Sequence, residues 1–278
     1  MVAIDSSALT MWTMAEGAVS VRARARGWEG GGRREIHQTS REPDHSVLQE
    51  AASTTVCETQ QLAAAAWDPH HAEEVATVHG TTVQGWDLRT MKCVCPPVAR
   101  GVGSIGPCLI SHLCEPVSLS LSRATHCLPN AHSYAARAVD YNPNKPFHIV
   151  TGGEDRLVKF WDFRKPDTPL KLLLGHSHWV WTVSFNRFHD QLLLSGGTDS
   201  VVNLWRVSSI SSAPLLELEG QNAKTDADVR VRAFDEHEES VYATAWSACD
   251  AWVFVSLSYD GRVVLNHVPS TEKYKILL

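Results

Sequence analysis

GHSHWVWTVSFNRFHDQLLLSGGTDSVVNLWR, residues 175–206, opens on Gly-His and closes on Trp-Arg. Apolar and polar residues alternate through three short runs, Val180 to Phe185, Gln191 to Ser195 and Val201 to Trp205. A period of two, with turn-forming residues between the runs, predicts three short strands. His176, Ser195, Asp199 and Trp205 punctuate the unit and carry groups able to join into one hydrogen-bonded chain.

The punctuation recurs. His176 to Asp199 spans 23 residues and Asp199 to Trp205 spans 6; His132, Asp155 and Trp161 repeat both intervals, as do His237, Asp260 and Asn266. A fourth copy ends at Trp86-Asp87, with Gly80 six before the Trp. Together with the Trp161-Asp162 dipeptide, these units resemble the WD repeat, whose roughly 40–45 residues form a four-stranded propeller blade. The resemblance implies an all-β fold, a WD-repeat β-propeller with about four recognisable blades plus a strand fragment, fewer than a seven-bladed relative carries.

In that family the Trp indole bonds the hydroxyl, the hydroxyl bonds the imidazole, and the imidazole bonds the carboxylate. Two blades hold the full set: His132, Thr151, Asp155 and Trp161, then His176, Ser195, Asp199 and Trp205. The last keeps His237, Ser256 and Asp260 with Asn266 for the Trp, and the first has Ala76 and Gly80 at the hydroxyl and carboxylate positions. Gly152-Gly153 and Gly196-Gly197 are expected in tight turns at positive φ.

Spacing locates the interruptions. Trp86 to Trp161 is 75 residues, whereas Trp161 to Trp205 is 44. The excess falls in a stretch rich in Cys, Pro, Ser and Gly, read as a disordered insertion at 96–129 and expected to be removable as residues 97–128. Extra residues between His176 and His237 predict a surface loop at 208–232. Residues 1–56 read as one partial blade strand around Trp12 followed by a low-complexity, disordered segment. Propeller blades then occupy 57–278. The chain reads as a shortened or rearranged version of a longer relative.

Particular phrases narrow the resemblance. HSHWVW (176–181), HDQLLL (189–194), SLSYDGR (256–262), KYKILL (273–278), DYNPNK (140–145) and WDPHH (67–71) are similar to the EARP and GARP complex-interacting protein family. That likeness covers roughly 57–95 and 130–278. It implies a protein-interaction scaffold that binds endosomal and trans-Golgi tethering complexes and supports endosomal recycling and retrograde transport. It also implies a cytoplasmic protein peripheral to the trans-Golgi network and endosomes.

Net charge is −6 with 20% charged residues and no strongly basic half, which argues against nucleic-acid binding. No run of eighteen apolar residues exists, so direct membrane insertion is not expected. The N-terminus lacks a charged region followed by an apolar one, so secretion is not expected. Seven Cys, five of them between Cys93 and Cys127, do not suit an extracellular disulfide framework and fit a reduced, intracellular chain.

Several constellations invite sharper chemistry. Ser195/His176/Asp199 and Thr151/His132/Asp155 resemble catalytic triads, but the set recurs once per blade and lacks a nucleophile elbow, so no enzyme activity and no small-molecule substrate are expected. Cys93, Cys95, Cys108, Cys114 and Cys127, with His112 and His126, match no usual metal spacing, so neither metal nor cofactor is expected. The Arg-rich run at 22–34 is broken by Glu29. The WD-repeat resemblance instead nominates residues flanking each blade's first strand and preceding the turn Asp: Trp179, Trp181 and Thr198, Arg137 and Glu154, Tyr242 and Tyr259. Trp, Tyr and Arg dominate interface hot spots. An alternative is a substrate receptor of a cullin-type ubiquitin ligase, because Arg89 and Arg164 complete W-D-x-R patterns that could bond a partner carboxylate bidentately.

Overall fold

A computed structural model of the chain describes residues 62–89, 127–212 and 228–277, and outside them five strand backbones. Near the N-terminus these are β1 (Val2–Ile4), β2 (Ala8–Thr13), β3 (Val21–Ala23) and β4 (Gln49–Thr55). They form one sheet in the order β3-β1-β2-β4, with β1 and β3 parallel. Trp12 lies in β2. The expected low-complexity segment falls mostly outside the described residues.

Four antiparallel blades follow. The first holds β5 (Leu62–Trp67), β6 (Glu74–His79) and β7 (Thr82–Asp87), with two short strands on β7, β8 (Lys92–Cys93) and β9 (Cys127–Leu128). The second is β10 (Ala136–Tyr141), β11 (His148–Gly153), β12 (Leu157–Asp162) and β13 (Lys171–Leu174). The third is β14 (Val180–Phe185), β15 (Leu192–Gly197), β16 (Val202–Val207) and β17 (Asp228–Phe234). The fourth is β18 (Val241–Trp246), β19 (Val253–Ser258) and β20 (Val263–His267), after which α1 (Ser270–Leu277) returns onto the third blade through a buried Arg206–Glu272 ion pair.

Alternation builds the stack. Successive residues of a strand point to opposite faces, so a blade covered on both sides feeds two cores. Ile149 and Trp161 pack with Ala76, Val78 and Leu128 of the first blade, while Val150 and Phe160 pack with Val183 and Phe185 of the third. Leu193 and Trp205 face back to the second blade, while Leu192, Leu194 and Leu204 face forward to Val241 and Phe254. Phe160 meets Phe185 edge-on at 5.9 Å, and Phe234 meets Phe254 at 5.2 Å. The outer strands are less covered: Leu174 of the second blade is 77% exposed, and Val263 and Leu265 of the fourth are 64% and 59% exposed.

Polar links cross between blades. The Phe185 amide donates to Asp140 Oδ2 at 2.8 Å, Asn142 Nδ2 to Asp190 Oδ2 at 3.2 Å, and Asn186 Nδ2 to the Ala251 carbonyl at 2.6 Å. Burial pushes the Asp140 carboxyl up to about 6, although the Phe185 and Tyr141 amides favour its ionised form.

Three expectations change. Gly152, Gly153, Gly196 and Gly197 do not adopt positive φ; Arg156 and Ser200, past the turn Asp, do. The glycines make room instead. A Cβ on Gly152 would lie 2.7 Å from Val180 Cγ1 of the next blade, and one on Gly153 would lie 2.5 Å from the His132 ring. The loop expected at 208–232 stops short, because Asp228–Phe234 is the outer strand of the third blade, held against β16. The insertion expected at 96–129 also ends early, because Cys127–Leu128 pairs with β7 and Leu128 is fully buried.

Register shows where that insertion sits. Lys92 and Cys93 pair with Asp87 and Trp86, and Cys127 and Leu128 pair with Gln84 and Val83. On β7 only Gly85 lies between the two paired stretches. β8 and β9 are two ends of one outer strand, which a single residue would join. Deleting residues 94–125 should leave the melting temperature equal or higher, since a shorter closure costs less entropy. Deleting 97–128 removes the buried Leu128 and should lower stability by about 2–4 kcal/mol in a denaturant titration.

Asp140 sets a pH signature. A carboxyl with a raised folded pKa contributes stability that is full below its unfolded value and is lost as pH rises through about 6. The stability of the native chain relative to Asp140→Asn should therefore fall between pH 4 and pH 7, by no more than about 3 kcal/mol, in paired thermal melts.

Candidate partner-binding face

The fastening network comes first, since it sets the ends of the blades. In the second blade Trp161 Nε1 donates to Thr151 Oγ1 at 3.0 Å, His132 Nε2 lies 2.8 Å from that hydroxyl, and His132 Nδ1 lies 2.7 Å from Asp155. In the third, Trp205 Nε1 donates to Ser195 Oγ at 2.8 Å, and His176 bridges Ser195 at 2.7 Å and Asp199 at 3.0 Å. The fourth keeps His237–Ser256 at 2.7 Å and His237–Asp260 at 3.3 Å, with buried Asn266 in the Trp position. Every group is satisfied when the imidazole is neutral with its proton on Nδ1. Burial lowers the His132 pKa in keeping with that state. Burial also opposes ionisation of Asp199, yet hydrogen bonds from His176 and from the Ser177 and Val201 amides hold its carboxyl below the usual range. Thr151, Ser195 and Ser256 are fully buried, so none offers a hydroxyl to a substrate.

The first blade carries part of this network, contrary to the sequence count. Trp86 Nε1 donates to Thr77 Oγ1 at 2.8 Å. Thr77 pairs with Gln84, two before the Trp, as Thr151 pairs with Lys159 and Ser195 with Asn203. The turn at Gly80 is one residue shorter than its counterparts, which shifts the interval and put Ala76 in the place of the hydroxyl.

Each blade's first strand carries a register shift at the same position. It falls between Leu62 and Ala64, Ala136 and Ala138, Val180 and Thr182, and Val241 and Ala243. The bulged residues are Ala63, Arg137, Trp181 and Tyr242. A bulge leaves its residue unpaired and re-aims the side chain. Beside the last three of these bulges, the turn between the second and third strands is tied back to the loop before the first. Glu154 N donates to the Ala135 carbonyl at 2.8 Å, Thr198 N to Trp179 at 2.9 Å, and Tyr259 N to Ser240 at 3.1 Å.

These ties bring the nominated residues together in pairs. Arg137 Nε donates to Glu154 Oε1 at 2.8 Å, and the Tyr242 and Tyr259 rings lie 4.9 Å apart. Arg137 also lies over the Trp181 ring of the next blade, 5.8 Å from its centroid. Trp181 is partly buried and its indole N–H has no hydrogen-bond partner among the described residues, whereas Trp179 is 38% exposed beside His178, which bonds Thr198. His178 was not singled out from sequence, although it lies inside the quoted unit.

Arg89 and Arg164 lie at the other end of the blades. Arg164 clamps Asp162 at 2.9 and 2.8 Å, and Arg89 reaches Glu73 at 2.5 Å and Asp87 at 3.4 Å. Burial disfavours the Asp162 carboxylate, but the Arg164 hydrogen bonds and charge outweigh it and lower its pKa. Asp68, His71 and Glu74 place ligand atoms within 4.8 Å of one another. Asp68 there accepts from the His70 amide and closes the turn, as Asn142 does for Asn144 and Asn186 for Phe188. Of the cysteines weighed for a metal, only Cys127 has a described side chain.

Residues 120–205 match the family model described as EIPR1 beta-propeller, and residues 228–265 match WD domain, G-beta repeat. The chain is a WD-repeat propeller. It is 39% identical over 227 residues to EARP and GARP complex-interacting protein 1 of Homo sapiens, covering 76% of this chain and 51% of that protein. It is 40% identical over 156 residues to EARP-interacting protein 1 of Caenorhabditis elegans, covering 53% and 43%. It is 33% identical over 207 residues to WD repeat-containing protein DWA2 of Arabidopsis thaliana, covering 74% and 49%. The WD-repeat chain spans about half the length of these relatives.

Fastening and face should separate by mutation. His176→Ala or Asp199→Ala leaves a buried polar group unpaired and should lower unfolding free energy by about 2–3 kcal/mol. Trp179→Ala, at an exposed site outside the network, should change it by less than about 1 kcal/mol in the same denaturant titration.

Proposed function

We propose that this chain is a non-catalytic interaction scaffold for an EARP/GARP-type tethering complex. It would engage that complex through the propeller end that carries Arg137, Glu154, Trp179, Trp181, Thr198, Tyr242 and Tyr259. The carrying observation is the repeated bulge. At the same position in successive blades it turns out Arg137, Trp181 and Tyr242, the residue types that anchor protein interfaces. The names of the human and nematode relatives supply the kind of partner. On this reading the chain works at the cytoplasmic side of endosomes and the trans-Golgi network, in cargo recycling and retrograde transport. It needs no cofactor, nucleic acid or small-molecule substrate. Among the described residues no helix is long and apolar enough to cross a membrane.

A ubiquitin-ligase receptor role through Arg89 and Arg164 has less support. Both guanidinium groups already bond their own W-D aspartates, so a partner carboxylate would have to displace an existing ion pair. Affinity capture of the tagged chain from cell extract, read by mass spectrometry, tests the two readings together. Tethering subunits should co-purify, and a Trp179→Ala/Tyr242→Ala/Tyr259→Ala variant with unchanged melting should lose them. Capture of a ligase adaptor in their place, dependent on Arg89 and Arg164, would overturn the scaffold reading.

A further inference from the structure

The fourth blade carries an aromatic pair beside an acidic loop, and neither the two rings nor the loop's acidic side chains belong to the fastening network. Tyr242 and Tyr259 are 41% and 65% exposed with their rings tilted by 44°. The loop before β18 reads Asp235-Glu236-His237-Glu238-Glu239, and its four acidic side chains are exposed around buried His237. Backbone ties hold the loop against the turn that bears Tyr259. Ser258 Oγ donates to the Glu239 carbonyl at 2.8 Å, Tyr259 N to the Ser240 carbonyl at 3.1 Å, and Glu238 N to Asp260 at 3.1 Å.

The charge beside the tyrosines is largely uncompensated. Arg262 bonds Glu238 at 2.7 Å, which uses one cation on one anion. Arg137 is spent on Glu154. Arg232 lies over the Phe234 ring at 4.7 Å and makes no ion pair among the described residues, and Arg156 belongs to the second blade. Asp235, Glu236 and Glu239 likewise have no ion pair among the described residues.

We propose that this surface takes a Lys- or Arg-bearing segment of the protein partner, with cationic side chains laid on the Tyr242–Tyr259 faces and bonded to Asp235, Glu236 and Glu239. Aromatic faces attract cations through their quadrupole, and a guanidinium both stacks on a ring and bonds a carboxylate. An acidic or phosphorylated segment meets repulsion at the same place. Trp179, on the adjacent blade, is also exposed, beside His178. The inference rests on the reading of this end of the propeller as the partner-binding face, and it adds the chemistry of what binds.

Fluorescence anisotropy with two labelled peptides of equal length tests it. One peptide has Lys and Arg spaced by Ser and Gly, and the other has Glu and Asp at the same positions. The full chain should bind the basic peptide, with affinity falling as salt rises. Asp235→Asn/Glu236→Gln/Glu239→Gln, and separately Tyr242→Ala/Tyr259→Ala, should weaken it at least about tenfold with unchanged melting. Failure of the basic peptide to bind, equal binding of the acidic peptide, or an unmoved affinity in the neutralised variant each overturns the proposal. Capture of tethering subunits separates the two readings. If the neutralised variant captures them as well as the native chain, the charge proposal falls and the scaffold stands. If the native chain captures none while the basic peptide binds as expected, the scaffold's assigned partner falls and the surface chemistry stands.

Discussion

A four-stranded sheet covered on both faces is the constraint that governs this molecule. The first three strands of the second and third blades have no exposed residue on either face, so they feed two cores through alternate residues. Ile149 and Val150, neighbours in sequence, belong to different cores, and so do Leu192 and Leu193. Each buried aliphatic or aromatic side chain contributes roughly 1.5–3 kcal/mol. Stability therefore accumulates at contacts between blades as well as within them, and an unpaired blade face is costly. The fourth blade shows the cost directly, with Val263 and Leu265 left largely in solvent.

The same constraint dictates the polar chemistry. A hydroxyl or imidazole inside such a stack cannot reach water, so it must be satisfied within its own blade. The Trp–Ser/Thr–His–Asp chain does this with every donor matched to an acceptor, ending on a carboxylate near the blade rim. It also stitches the loop before the first strand to the turn after the second. Glycine follows from the same demand for close approach. At Gly152 and Gly196 the neighbouring blade comes within 3 Å of where a Cβ would stand, and at Gly153 the His132 ring does.

Much of this was legible in the sequence because it is periodic along one chain. The 23- and 6-residue intervals located His176, Ser195, Asp199 and Trp205, and their copies, before any geometry was known. Features that depend on how two strands align were not. Thr77 was missed because a shortened turn moves it by one position, and only the pairing with Gln84 reveals its role. The glycine pairs were assigned to turn conformation because spacing carries no information about how near the next blade lies. The split outer strand of the first blade was invisible for the same reason. Its halves hold two residues each, and they become one strand only through their partners on β7.

The bulges connect the constraint to function. In a sheet packed on both faces, every in-register position of the inner strand is taken by packing or by the ladder. A bulge pushes one residue out of register, and the first strand of each of the four blades does this once. The bulged position is not uniform: Ala63, Arg137, Trp181 and Tyr242 differ in size, charge and polarity. The fastening positions in the second to fourth blades hold His, a small hydroxyl and Asp each time. Residues that serve packing repeat because each blade poses the same problem. Residues facing a partner need not, since a partner presents different chemistry to each blade. Divergence among copies within one chain therefore separates the two roles, and it marks the bulge row as the surface with freedom to specialise.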